Sequence, residues 1–172
     1  MLIDRDGVIN RDSDEYIKSV AEWQPLPGSL EAIARLGAAG FRIGVVTNQS
    51  GVGRGLLSEA TLGAIHAAMQ AAAAAAGGEI GAVFYCPHRP DEGCDCRKPA
   101  PGLLLQAAAH FGRGPGGVPF IGDKASDVEA ARAAGARPIL VGPEAPALAG
   151  VERYADLAAA AAALIAELRD AR

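Results

Sequence analysis

Short apolar runs at residues 1–3, 41–47, 80–85, 118–121 and 138–141 alternate along the whole chain with helical patterns at 29–39, 58–76, 102–111, 127–134 and 156–169. Apolar runs of this length suit strands covered on both faces. Strands separated by helical crossovers are predicted to lie parallel, because each crossover returns the chain to the same edge of the sheet. The expectation is one α/β domain over residues 1–172, a doubly wound, Rossmann-like parallel sheet, since no linker, repeat or composition shift divides the chain. Several helix ends are marked in the sequence. Ser29 precedes the first turn of one pattern and Gly40 follows its last, while Ser58 opens the next and Gly77-Gly78 closes it. The alanine tracts at 71–76 and 158–163 fall inside helical patterns and read as helix, alanine having the highest helix propensity.

With 172 residues, half of them apolar and 21% charged, the chain is long enough to build a core without covalent staples and too apolar to be disordered. A formal net charge of −4 argues against a protein that grips nucleic acid backbones. No apolar stretch approaches the roughly 18 residues of a membrane span. Charges at Asp4, Arg5 and Asp6 interrupt the place where a signal peptide has its apolar region. A cytoplasmic, monomeric protein is expected. Cys86, Cys94 and Cys96 are the three cysteines, crowded within eleven residues, which points away from a disulfide framework and toward metal ligation. With His88 they form Cys-x-His, then, after five residues, Cys-x-Cys: four soft or borderline ligands that suit tetrahedral, structural Zn²⁺ in a loop at 86–96.

The informative polar residues follow the strands. Asp4 and Asp6 follow the first, Thr47 and Asn48 end the second, Lys98 lies beyond the third, and Asp123 and Asp127 follow the fourth. Ligands of open parallel sheets bind at these carboxyl ends. A lone Asp-x-Asp-Gly is as often a turn as a site. Here the several strand ends together hold a nucleophile, an acid/base, carboxylates for Mg²⁺ and donors for a moving phosphate, the parts of phosphoryl transfer. Gly51-Val52-Gly53-Arg54-Gly55 fits neither a Walker motif nor G-x-G-x-x-G and reads as a turn entering a helix. His66 and His110, on helical patterns without partners at ligand spacing, read as ordinary helix residues.

The segments DRDGVIN (4–10), TNQSG (47–51), RKP (97–99) and GDKASD (122–127) resemble the four motifs of the haloacid dehalogenase superfamily, spread over nearly the whole chain. Within it, CPHRPDEGCDCRKPAPG (86–102) resembles the zinc loop of the heptose bisphosphate phosphatases, which histidinol-phosphate phosphatases share. The resemblance implies a central first strand, no separate cap domain, and Mg²⁺-dependent hydrolysis of a small phosphorylated sugar through an aspartyl-phosphate, in the synthesis of nucleotide-activated heptose for surface glycans. Removal of the phosphate of histidinol phosphate is the alternative, and a zinc-stabilised binding module the non-enzymatic one. It implies Asp4 as nucleophile and Asp6 as general acid/base, with Asp6 the carboxyl of raised pKa. Asp4, Asp123 and the backbone carbonyl of Asp6 are then Mg²⁺ ligands, Thr47 and Asn48 bind the phosphoryl group, Lys98 balances its charge, and Asp127 orients Lys98 or a metal-bound water. Substrate choice falls to residues 12–19, Asp12 and Tyr16 among them, to the zinc loop, and to Arg97 and Lys124 as cations for a second phosphate. Asp14-Glu15-Tyr16-Ile17 departs from the family's Gly-Tyr-Val pattern. Zinc is expected to position Lys98, two residues beyond Cys96.

Overall fold

In the computed structural model, which describes residues 1–170, six strands form one parallel sheet: β1 (Leu2–Ile3), β2 (Gly44–Asn48), β3 (Ala82–Cys86), β4 (Pro119–Gly122), β5 (Arg137–Val141) and β6 (Glu152–Tyr154). Their order is β3-β2-β1-β4-β5-β6, so the first strand is central, as expected. The helices are α1 (Ser29–Ala38), α2 (Ser50–Gly53), α3 (Glu59–Ala75), α4 (Gly102–His110), α5 (Ala125–Ala134) and α6 (Leu157–Asp170). The last two residues of the expected domain lie outside the described residues.

Strand side chains alternate between two cores, as a period of two requires. Ile3, Val45, Ile121 and Ile139 join Ile33 and Leu36 of α1, Ile65 and Met69 of α3, and Leu164 of α6. Leu2, Val46 and Phe120 join Leu103 and Leu104 of α4 and Ala130 and Ala131 of α5 on the other face. Each fully buried Ile or Leu contributes about 1.5–3 kcal/mol, which explains why a two-residue β1 holds the centre of the sheet. The direction of winding reverses between β1 and β4. There the crevice at the strand ends opens, and there ligands bind.

Several boundaries differ from expectation for local reasons. The second strand begins at Gly44 rather than residue 41, because Gly40 (φ 96°) turns the chain back over α1 and Phe41 N still donates to Leu36 O at 3.1 Å. Ser29 is not a cap: Gly28 takes that position, and Ser29 Oγ donates to Ile9 O at 2.7 Å, anchoring the loop after β1. Ser58 does cap α3, accepting from Thr61 N at 3.0 Å. The turn expected at 51–55 is mostly the single-turn helix α2, which begins one residue earlier at Ser50. The sixth strand has no apolar pattern. Its pairing with β5 and a bond from Arg137 Nε to Glu152 Oε1 at 2.8 Å hold it. The connections 4–28 and 87–101 carry only single 3-10 turns, Val20–Glu22 and Pro90–Glu92, and neither forms a cap domain.

Candidate active site

Asp4 leaves β1 with its N–H donating to Ile121 O of β4 at 2.8 Å, so its carboxylate stands in the crevice between the two strands. Asp4 Oδ1 accepts from Arg5 N at 2.7 Å and Oδ2 lies 2.8 Å from Lys98 Nζ. The same ammonium is 2.7 Å from Asp127 Oδ1 and donates to Val46 O at 3.2 Å. All three charged groups are buried. Burial works to lower the Lys98 pKa, yet the Asp4 and Asp127 carboxylates outweigh it and hold the ammonium above its ordinary value. Burial pushes Asp4 up to about 7, with Lys98 opposing and Asp127 and Asp123 reinforcing. Asp123 is pushed up to about 6, again by burial first, against Lys124. Lys98 thus only partly compensates the burial of Asp4.

One ammonium does not balance three carboxylates, and the surplus fits a hard cation. Asp4, Asp123 and Asp127 each bring an oxygen within 4.8 Å of the others, and Asp123 Oδ1 is buried with no hydrogen-bond partner. Oxygen donors of this charge suit Mg²⁺. Gly7 permits the cluster: its φ is +79°, and a Cβ there would lie 2.2 Å from Asp123 Oδ2. Asp127 Oδ2 is already committed, accepting from Asp123 N at 3.1 Å and Lys124 N at 3.0 Å at the start of α5. Its other oxygen, Oδ1, pairs with Lys98, the residue the sequence suggests it orients.

A cavity of about 490 Å³ opens above this cluster, lined by Asp4, Asp6, Thr47 and Lys98 in its depth and by Asp12, Tyr16, Arg97 and Lys124 nearer solvent. Thr47 Oγ1 accepts from Gln49 Nε2 at 3.0 Å, leaving its own proton to donate to a ligand. Asn48 also lines the cavity, but its amide clamps the Lys98 backbone: Nδ2 donates to Lys98 O and Oδ1 accepts from Lys98 N, both at 3.0 Å. Lys98 is thus held from β2 as well as by its carboxylates, in addition to any support from the loop at 86–96. Tyr16 has φ 63° in the left-handed region, a strained backbone at the pocket edge. Lys124 Nζ sits 2.6 Å from Asp12 Oδ2, and a ligand phosphate must compete with that carboxylate for it. Among the described residues the Arg97 side chain has a single long hydrogen bond, Nη1 to His88 O at 3.4 Å, and is the freer cation.

Four donors from three residues, none of which the motifs give a role, converge on the Asp6 carboxylate. Arg5 Nε and Nη2 reach Oδ1 and Oδ2 at 3.0 Å each, Asn10 Nδ2 reaches Oδ1 at 2.9 Å, and Gln49 Nε2 reaches Oδ2 at 2.8 Å. Arg5 is 0% exposed and donates onward to His66 Nε2 at 3.2 Å. Burial, then the Arg5 charge, lowers the His66 pKa to about 4. All four lie within or against the quoted motifs. What the sequence lacked was a signal that the Arg5 side chain turns inward.

Beside the cavity, the side chains of Cys86, His88, Cys94 and Cys96 come together. Cys86 Sγ is 3.4 Å from His88 Nδ1 and 3.0 Å from Cys96 Sγ, while Cys94 Sγ is 3.6 Å from Cys86 Sγ and 3.5 Å from Cys96 Sγ. The cysteines are free, and the four atoms lie within 4.8 Å of one another, a donor set compatible with Zn²⁺.

A family model described as "HAD-hyrolase-like" matches residues 95–171. The D-glycero-beta-D-manno-heptose-1,7-bisphosphate 7-phosphatase of Pseudomonas putida is 57% identical over 141 residues, 82% of this chain and 81% of the relative. That of Bordetella bronchiseptica is 51% identical over 82% of this chain and 79% of its own length. The chain belongs to the heptose bisphosphate phosphatases of the haloacid dehalogenase superfamily. A crystal structure of a heptose bisphosphate phosphatase from B. bronchiseptica, in complex with magnesium and phosphate, superposes with a TM-score of 0.92 at 46% identity, covering 97% of this chain and 98% of that one. Heptose bisphosphate phosphatases, not histidinol-phosphate phosphatases, are thus the relatives these comparisons favour. No helix among the described residues is long and apolar enough to cross a membrane.

Proposed function

We propose that the protein hydrolyses the 7-phosphate of D-glycero-β-D-manno-heptose 1,7-bisphosphate through an aspartyl-phosphate at Asp4, with its site within one domain. The observation that carries this reading is the single cavity in which Asp4, Asp6, Thr47 and Lys98 lie below Arg97 and Lys124. Asp4 attacks phosphorus while the bond to the sugar oxygen breaks, and Asp6 gives that oxygen its proton. Asp6 then takes a proton from the water that attacks the acyl phosphate, releasing inorganic phosphate. Lys98, fixed by Asp127 and Asn48, faces the transferring group with a buried positive charge, and Thr47 Oγ1 donates to it. Asp4, Asp123 and the carbonyl of Asp6 would hold Mg²⁺, which when bound offsets the repulsion between the nucleophile and the phosphate dianion. The name carried by the relatives supports the β anomer.

The free position of Arg97 marks it for the second phosphate, with Asp12 holding Lys124 in reserve and Tyr16 bordering the sugar. Phosphate release with Mg²⁺ should be fastest for the heptose bisphosphate and slow for histidinol phosphate. Arg97→Ala should lower kcat/KM for the bisphosphate by about tenfold or more while leaving a heptose 7-monophosphate within about threefold, because a remote phosphate supplies binding only the doubly charged substrate has. Lys124→Ala should show the same direction with a smaller ratio, since Asp12 already competes for its charge. Equal losses on both substrates would place these cations on the fold, and comparable turnover of histidinol phosphate would refute the substrate.

Structural Zn²⁺ on Cys86, His88, Cys94 and Cys96 is the second metal of this proposal. Since β2 anchors Lys98 independently, stripping zinc should raise KM for the bisphosphate through Arg97, whose Nη1 contact is the His88 carbonyl inside the loop. The kcat for a small monophosphate should fall less. Hydrogen exchange should rise across residues 86–97, reaching the end of β3 where Cys86 joins the core under α4, and stay low in β1, β2 and β4, whose other buried side chains remain packed. Unchanged KM with zinc verifiably absent, or exchange throughout the sheet, would contradict this division.

A further inference from the structure

His66 lies on α3, is 7% exposed, and does not line the catalytic cavity, yet it touches the group that holds Asp6. Its Nε2 is 3.2 Å from Arg5 Nη1. A guanidinium offers only N–H donors, so Nε2 is the acceptor and the imidazole is neutral. Nε and Nη2 of the same guanidinium reach the two Asp6 oxygens at 3.0 Å each. These nitrogens are locked in one plane, so the imidazole at one end fixes the orientation of the fork at the other. The Tyr85 ring, 5.7 Å from the His66 ring and tilted 55° to it, restricts the imidazole in turn. Arg5 is wholly enclosed and has no water-exposed alternative direction.

We propose that His66 is a positioning residue for proton transfer: by accepting from Arg5 it sets the plane of the Asp6 carboxyl group toward the leaving oxygen. The inference rests on the acid/base reading of Asp6 given above. It explains the chemistry of the position: with Asp6 on one end of the fork, the enclosed guanidinium needs an acceptor for Nη1, and an apolar residue leaves that N–H unpaired and the fork held at one end only. A purely structural His66 would instead support the packing of α3, and its loss would slow every substrate alike.

The two roles separate by leaving group. In the heptose bisphosphate the departing sugar oxygen needs a proton, whereas the phenolate of 2,4-dinitrophenyl phosphate leaves without one. The quantity to compare is kcat/KM, which covers the steps up to phosphoryl transfer to Asp4 and excludes hydrolysis of the acyl phosphate. His66→Leu should lose about tenfold or more on the heptose substrate and less than about twofold on the aryl ester, because general acid catalysis of about a hundredfold or more is partly forfeited only where a proton is required. His66→Gln, which restores a neutral acceptor, should recover most of the loss. Should the His66→Leu chain not fold, His66→Asn, whose amide ends short of the guanidinium, carries the same comparison. Equal losses on both substrates, no loss on either, or failure of His66→Gln to recover activity would overturn the proposal. Asp6→Asn measured alongside distinguishes the layers. If it shows the leaving-group dependence and the His66 variants do not, the positioning role alone falls; if it shows none, the acid/base reading of Asp6 falls first and takes this inference with it.

Discussion

Asp4→Asn is expected to lose at least about a thousandfold in turnover while folding normally, because an amide cannot form the acyl phosphate and covalent catalysis does not survive removal of its nucleophile. The fold should tolerate it for a reason visible in the site. Asn keeps the oxygen that accepts from Arg5 N at 2.7 Å, and Lys98 keeps Asp127 at 2.7 Å. Burial raises the Asp4 pKa from 3.8 to about 7, so the folded chain binds a proton there that the unfolded chain releases. That contribution to stability is fully present below about pH 4 and is lost as pH rises through about 7. A neutral side chain at this position avoids the loss. In chelator at pH 8, Asp4→Asn should therefore melt no lower than the parent chain, although it is inactive with Mg²⁺ restored. More than a thousandth of the parental rate, with contaminating phosphatase excluded by a mock purification, removes Asp4 from the nucleophile role. A lowered melting temperature would show that the Asp4–Lys98 pair stabilises more than burial costs.

Asp6→Asn should slow hydrolysis of the heptose substrate by about a hundred- to ten-thousandfold, the usual worth of a positioned acid or base. Its second signature is more telling. With an ester whose leaving group departs unprotonated, phosphorylation of Asp4 should still proceed, and the acyl phosphate should accumulate because no base activates water to remove it. Mass spectrometry of the quenched protein then finds phosphate on the peptide containing Asp4. Absence of any phosphorylated peptide under these conditions would count against the assignment of separate duties to the two carboxylates. Asn at position 6 also replaces one acceptor of the Arg5 fork by a donor, so Arg5 and His66 should shift. The loss on the heptose substrate contains that displacement as well as the missing proton, which is why the trapped intermediate is the cleaner observation.

The alternation of apolar runs and helical patterns was enough to predict a parallel sheet, because the period of burial along each segment is a local property that one sequence displays directly. Asp4, Thr47, Lys98 and Asp123 were legible for a related reason: each sits at or beyond a strand end, and the topology of an open α/β sheet brings those ends to one crevice whatever the details of packing. The donor set Cys86, His88, Cys94 and Cys96 was equally plain, since ligand chemistry is written in residue type and spacing. Sequence did not reveal β6, whose Glu152-Arg153-Tyr154 lacks any apolar period and becomes a strand only because β5 presents an edge to it. Nor did it reveal that Asn48 secures Lys98, fifty positions along the chain, or that Lys124 is already paired with Asp12. Arg5 and His66 make the same point most sharply. An arginine between two aspartates and a histidine on an alanine-rich helix each have ordinary solvent-facing readings, and only the closing of α3 over the loop after β1 buries both and forces their polar atoms to find each other. Local patterning chose the elements and the reactive groups; tertiary burial, which makes every unpaired polar atom costly, decided which side chains hold those groups in place.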